Sequence, residues 1–383
     1  MELRTMITPA NLIAALLTLS PLVIAAFFPQ SVTGRPRRLP VWAQLVSPAG
    51  LSVPYVLVAC GGGVFRWGWF ALYAVLPVAV ASLLWQAGRA DPGIQPPQRQ
   101  MPVAGDPGQP PQRQTPVAGD PGVQPPQGQM PVAGEPDLSP QRQMPVAGDP
   151  GQPPQRQMPV AGDPGQPPQR QTPVAGDPGV QRGNWRDFLV LAVLGLAVDL
   201  RWFEGAWPAH LAIFSKMLLL DAGIYGFIAV RQLEGIGFDL RLRLRDAAIG
   251  LREVALYMPL ALALGLGLGF LHLHRGWPGL APIAGAWVFT FFFIAVPEEL
   301  FFRGWLQNLL ERRMGRTPAL FLTAVLFGLA HFNKRAVLFN WRYVLLAAVA
   351  GVFYGRAWRQ QRRVGASAVT HATVDAIWSL WLR

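Results

Sequence analysis

The chain has 383 residues, a formal net charge of +12 and an apolar fraction of 51%. Its length admits two domains or one large membrane bundle. Its single cysteine, Cys60, excludes a disulfide framework and argues against thiol catalysis.

The apolar average matches that of soluble proteins but is unevenly spread. Residues 91–183 hold almost no large apolar side chains, so the remainder is far more hydrophobic. In chain order, "NLIAALLTLSPLVIAAFF" (11–28), "VWAQLVSPAGLSVPYVLVAC" (41–60) and "WGWFALYAVLPVAVASLLW" (67–85) read as membrane spans. The first reads as an anchor helix rather than a signal peptide, because its uncharged stretch is long and its following flank is basic.

Between Asp91 and Arg182 the motif "PVAGDPGQPPQRQ" recurs, with copies starting at Pro102, Pro116, Pro131, Pro145, Pro159 and Pro173. Each copy offers only valine and alanine for burial, too little for a solenoid. Proline and glycine also interrupt helix and strand ladders, which predicts a disordered, partly polyproline-II linker. A neutrally expanded insert accounts for it, and a protein-binding tether is the functional alternative. The expected organisation is a three-span unit (1–90), the repeat linker (91–183) and a C-terminal bundle (184–383).

That bundle supplies apolar segments near 187–200, 210–230, 254–273, 282–305, 318–332, 343–357 and 364–382. The predicted fold class is therefore an all-α, polytopic transmembrane bundle of about ten spans. Arginine clusters "RPRR" (35–38), "RLRLRD" (241–246), "ERRMGR" (311–316) and "RAWRQQRR" (356–363) fall on one side if the spans alternate. This positive-inside pattern explains the basic balance better than nucleic-acid binding does. It places the linker and the basic loops inside, both termini outside, and the protein in a bacterial-type plasma membrane.

Ionisable groups at membrane depth are costly unless they face partners or a wet cavity. "VPEELFFRG" (296–304) carries Glu298, Glu299 and Arg303 in an otherwise apolar run. Glu299 and Arg303 are four apart and share a helix face, whereas Glu298 points about 100° away. The arginine can neutralise one carboxylate and leave the other for chemistry, and Pro297 predicts a local break or kink.

"FGLAHFN" sets the Phe327 ring beside the His331 imidazole on one face. "THATVDAIW" sets His371 beside Asp375, where a carboxylate can fix a tautomer or help hold a metal. At about 1.5 Å per residue, Glu298 lies about 20 Å from the level of Arg312. By the same rise, His331 lies about 22 Å from Arg316 and His371 about 12 Å from Arg363. All three fall inside a hydrocarbon core roughly 30 Å thick, so separate helices bring them to similar depth. His210, His272 and His274 read as interfacial. Asp221 reads as a packing residue or a partner of Lys216.

The order E-E-x-x-x-R, F-x-x-x-H, H-x-x-x-D on successive hydrophobic segments resembles the CPBP intramembrane proteases. That family includes the CAAX and bacteriocin-processing proteases and the type II CAAX prenyl endopeptidases. The resemblance covers about residues 285–380. It implies that Glu298, helped by His331, activates the attacking water, and that Glu299 and Arg303 form a holding ion pair, with Glu299 able to assist directly. His371 and Asp375 match positions that stabilise an oxyanion or complete a metal site. Asp375 accepts hydrogen bonds unless protonated, which suits orienting or liganding.

Glu298, His331 and His371 form a candidate zinc ligand set, although the chain has no H-E-x-x-H and the ligands would come from separate helices. The expected activity is an intramembrane metallo- or glutamate-type endopeptidase. Its peptide or protein substrate would be reached from the bilayer or the inner side, through a cavity opening inward. The competing readings are a non-catalytic peptide-binding, immunity or maturation protein and a proton-coupled transporter. No inverted repeat of the motif-bearing helices supports the last.

Overall fold

The computed structural model describes residues 8–34, 39–91, 181–274, 276–334 and 339–382. Nearly all of the repeat, the "RPRR" cluster and Arg335 lie outside them. Among the described residues the regular structure is entirely helical.

The N-terminal part supplies α1 (Pro9–Phe27), the short α2 (Pro29–Gly34), α3 (Val41–Gly61) and α4 (Trp67–Arg89). The C-terminal part supplies α5 (Trp185–Asp199), α6 (Ala209–Val230), α7 (Leu244–Gly267) and α8 (Leu280–Met314). It closes with α9 (Arg316–Leu329), α10 (Trp341–Gln361) and α11 (Val364–Trp381).

Six of these helices, α1, α3, α4, α6, α7 and α8, are long and apolar enough to cross a membrane. The other four predicted spans fall short for different reasons. α5 and α9 have only 15 and 14 residues. α10 is long but carries Arg342, Arg356 and Arg359. α11 is rich in small and polar residues, and it is buried along most of its length. A helix sheltered by its neighbours need not be as apolar as one that meets lipid. The outward faces are greasy: Leu16, Val75 and Phe321 are each more than half exposed.

The first three long helices pack onto the C-terminal bundle. Tyr73 of α4 accepts a hydrogen bond from the Trp207 indole at 2.6 Å, and the rings of Tyr73 and Phe203 lie 5.0 Å apart. α1 and α4 both pack on α6.

At one end of the bundle lies a layer of buried ion pairs. Arg231 binds Asp91 at 2.5 Å and Asp187 at 3.0 Å, joining the ends of α4, α5 and α6. Arg363 holds Asp246 at 2.9 Å and Asp239 at 2.8 Å. Glu311 forms ion pairs with Arg359 and Arg362, and the buried Glu253 pairs with the more exposed Arg252 and Arg356. Removing one member of such a pair strands a buried charge, at about 3–5 kcal/mol. The arginines read as topology signals therefore also lock helix ends together.

α9 and α10 approach closely because glycines face each other's backbones. A Cβ on Gly328 would lie 2.5 Å from the Val344 carbonyl oxygen, and one on Gly351 would lie 3.0 Å from the Ala324 Cα. Small residues at helix contacts are how bilayer helices gain packing without a hydrophobic drive. This contact carries His331 on one partner and Tyr354 on the other into the site.

Candidate active site

α8 runs on through Pro297, but its α-helical ladder is interrupted on either side of that residue. It is α-helical over Leu280–Thr290, π-helical over Phe291–Ala295, α-helical over Val296–Glu299, π-helical over Leu300–Gln307 and α-helical again over Asn308–Met314. Proline lacks the N–H of its turn, and the wider π turn beside it is where the α ladder gives way. Both glutamates thus sit on one α-turn between two π segments.

Their surroundings differ. Glu299 is fully buried and accepts three hydrogen bonds: from Arg303 Nη1 at 3.0 Å, from His371 Nδ1 at 2.8 Å and from the Ser367 hydroxyl. An ionised carboxylate only accepts, so the His371 proton sits on Nδ1. Arg303 also donates to the Gly351 carbonyl at 3.1 Å, and its guanidinium lies 4.5 Å from the Phe327 ring centre. The i, i+4 pair expected from spacing is present, and it is tied to α10 and α11.

Glu298 has looser company. Its Oε1 lies 3.9 Å from Lys334 Nζ, and its Oε2 lies 3.9 Å from His371 Nε2. Oε2 is buried without a hydrogen-bond partner. A polar gap of that width is where a bridging water fits.

His331 Nδ1 donates to the Phe327 carbonyl at 2.8 Å, leaving Nε2 as its second polar atom. The Phe327 ring lies 4.9 Å from His331 and 5.7 Å from His371, so one aromatic side chain backs both imidazoles. Asp375 Oδ2 is 3.5 Å from His371 Nε2. The ring of Tyr354 stacks on His371 at 4.7 Å. The matched depths read from the sequence correspond to one cluster of Glu298, Glu299, Arg303, His331, His371 and Asp375.

Glu298 and His331 line a cavity of about 270 Å3 between α5, α6, α8 and α9. Its walls include Leu194, Met217, Phe293 and Phe301, and its polar rim holds Asp199, Lys216 and Lys334. Those rim residues sit at the α5 C-terminus, the α6 N-terminus and just after α9. The cavity thus extends toward the end of the bundle opposite the buried ion pairs. The cause is the face on which Glu298 stands, because α9 and α5 both end on that side.

Asp221 is buried as a packing residue is, but it does not pair with Lys216. Lys216 pairs with Glu204 at 3.1 Å, and Asp221 is fully buried with neither oxygen hydrogen-bonded. His210, His272 and His274 are exposed and stand apart from the cluster.

Several members were not singled out beforehand. Ser367 lies four residues before His371, so helix periodicity places it on the same face. Lys334 follows His331 by three. Tyr354 carries no chemical motif, and only the α10–α11 contact brings it onto His371.

The donor types suit zinc, since each histidine has an oxygen behind Nδ1 to hold its ring. Among the described residues, however, no three His, Cys, Asp or Glu side chains gather as a ligand set. Lys334 also already faces Glu298.

Residues 279–377 match the family model for type II CAAX prenyl endopeptidases, Rce1-like. The match runs from the start of α8 into α11 and contains every residue of the cluster. No curated protein and no solved structure matches the chain. The Rce1-like segment supports a CAAX protease assignment for this part of the chain, and with six apolar helices it marks a multi-pass membrane protein.

Proposed function

We propose that the protein is an intramembrane endopeptidase and that Glu298 is its general base. The observation carrying this is the contrast within one helical turn. Glu299 is saturated by three donors, while Glu298 Oε2 is buried, unpartnered and 3.9 Å from an imidazole nitrogen at a cavity wall.

Hydrolysis then follows from the residues present. A water held by Glu298 loses a proton to the carboxylate as its oxygen attacks the scissile carbonyl carbon. His331 Nε2 helps orient that water. His371, fixed through Nδ1 on Glu299, donates from Nε2 to the developing oxyanion when its ring is doubly protonated. Asp375 holds that nitrogen in place. Glu298 then returns its proton to the leaving amine as the C–N bond breaks, giving a carboxylic acid and an amine. Glu299, Arg303 and Ser367 are positioning residues that keep His371 aimed.

The substrate is a peptide whose cleaved bond enters the apolar cavity from the bilayer or from the rim bearing Lys216 and Lys334. The membrane assigned to it is the bacterial-type plasma membrane. Purified protein in detergent or vesicles, incubated with a peptide library, is expected to cleave, and Glu298→Ala is expected to abolish cleavage. Equal cleavage by that variant overturns the assignment of the base, and ion-coupled flux without cleavage favours the transporter reading. Activity is expected to survive a chelator. Loss that zinc restores would mean that Glu298, His331 and His371 close into a ligand set around the ion.

A further inference from the structure

A second void lies behind the histidines. It has a volume of about 60 Å3 and is lined by Tyr257, His331, Tyr343, Tyr354, His371 and Asp375, among others. His331 is the residue it shares with the larger cavity, so this imidazole forms the wall between them. Phe270, Leu271 and Leu382 also border it, from the segments that follow α7 and α11.

The two voids differ in chemistry. The larger sets leucine, phenylalanine and tryptophan beside Glu298, Asp199, Lys216 and Lys334, and a substrate filling it expels water. Hydrolysis nevertheless consumes one water per turnover. The smaller void offers two imidazoles, a carboxylate and tyrosine hydroxyls, the two to four polar partners a buried water needs. Its volume exceeds the roughly 10–15 Å3 that a buried water requires.

We infer that this chamber is a water site that supplies the nucleophile past His331 and His371 while substrate occupies the other cavity. The inference rests on the proteolytic reading for the use of that water, but the presence of water there is tested separately. Ala347 and Ala261 line the chamber from α10 and α7. Ala347→Met fills the chamber with an apolar side chain, and Ala261→Met does so from the opposite wall if the first variant fails to fold.

Synchrotron hydroxyl-radical footprinting of the full chain provides the first readout. Tyr257 and Tyr354 are only 4% and 2% exposed, and Tyr55, at 0%, is a buried tyrosine away from the chamber. The two chamber tyrosines should be labelled several-fold faster than Tyr55, and filling the chamber should remove the difference. Labelling equal to that of Tyr55 in the wild type overturns the water site. The second readout is cleavage, where the filled variant should lose about tenfold or more in kcat with KM unchanged, as when only a step beyond binding is impaired. Unchanged kcat with the tyrosines dark overturns the supply role. A wild type that cleaves nothing, with its tyrosines still labelled, instead sinks the proteolytic reading and the supply role with it, and leaves a water site.

Discussion

The ion-pair layer at the basic end and the cluster at the middle of α8 treat buried charge in opposite ways. At the basic end, Asp187, Asp246 and Glu311 are each gripped by arginine at 3.0 Å or less. In the cluster, Glu299 is held as tightly, but Glu298, one residue earlier, has no charged partner nearer than 3.9 Å. A desolvated carboxylate that is fully paired contributes architecture and cannot readily exchange a proton with a substrate. One left partly unsatisfied at a cavity wall is costly to maintain, and that cost is the mark of a group kept for chemistry.

The sharpest way to break this contrast is to neutralise the loose carboxylate. Glu298→Gln should reduce kcat by about 10³-fold or more, in the range of a lost general base, while thermal unfolding stays within a degree or two. A large drop in stability with little loss of rate would place Glu298 among the structural charges instead.

The paired groups should behave in the reverse sense. Arg231→Leu leaves Asp91 and Asp187 without their buried cation and should cost about 3–5 kcal/mol of stability, with turnover per folded molecule unchanged. Arg303→Leu should cost a similar amount and also lower kcat, because His371 loses its aligned carboxylate. Denaturant titration beside a cleavage assay separates the two.

A smaller effect is expected where helices touch without charge. Gly328→Val drives side-chain atoms into the Val344 carbonyl of α10 and should cost about 1–3 kcal/mol, read as a lower unfolding temperature.

The smallest effect belongs to Asp239, in the loop before α7. Burial pushes its carboxyl up, but hydrogen bonds from Arg363 and the Arg241 amide outweigh burial and hold it below the usual carboxylate range. A depressed folded value stabilises the protein above the unfolded value, near pH 4, and that stabilisation is lost as pH falls further. The contribution should be under about 1 kcal/mol because the side chain is partly open to water. Stability of wild type and Asp239→Asn, measured from pH 6 to pH 3, should converge at the acid end.

The spacing of Glu299 and Arg303 was readable from the chain because a helix fixes which residues share a face, whatever surrounds it. The same holds for His371 with Asp375 and for Phe327 with His331. The all-helical membrane class was readable because long apolar runs admit few other solutions. Rise per residue even set the common depth of the three motifs.

What the chain alone left open depended on which helices become neighbours and how they rotate. The stacking of Tyr354 on His371 needs the glycine contact that draws α10 against α9. The placing of the cavity away from the arginines depends on where α5 and α9 end in space. That the break expected at Pro297 takes the form of π turns on either side was also left to packing. Local periodicity decides which side chains share a face; only packing decides what that face meets, and it is that meeting which leaves Glu298 beside an imidazole and a cavity.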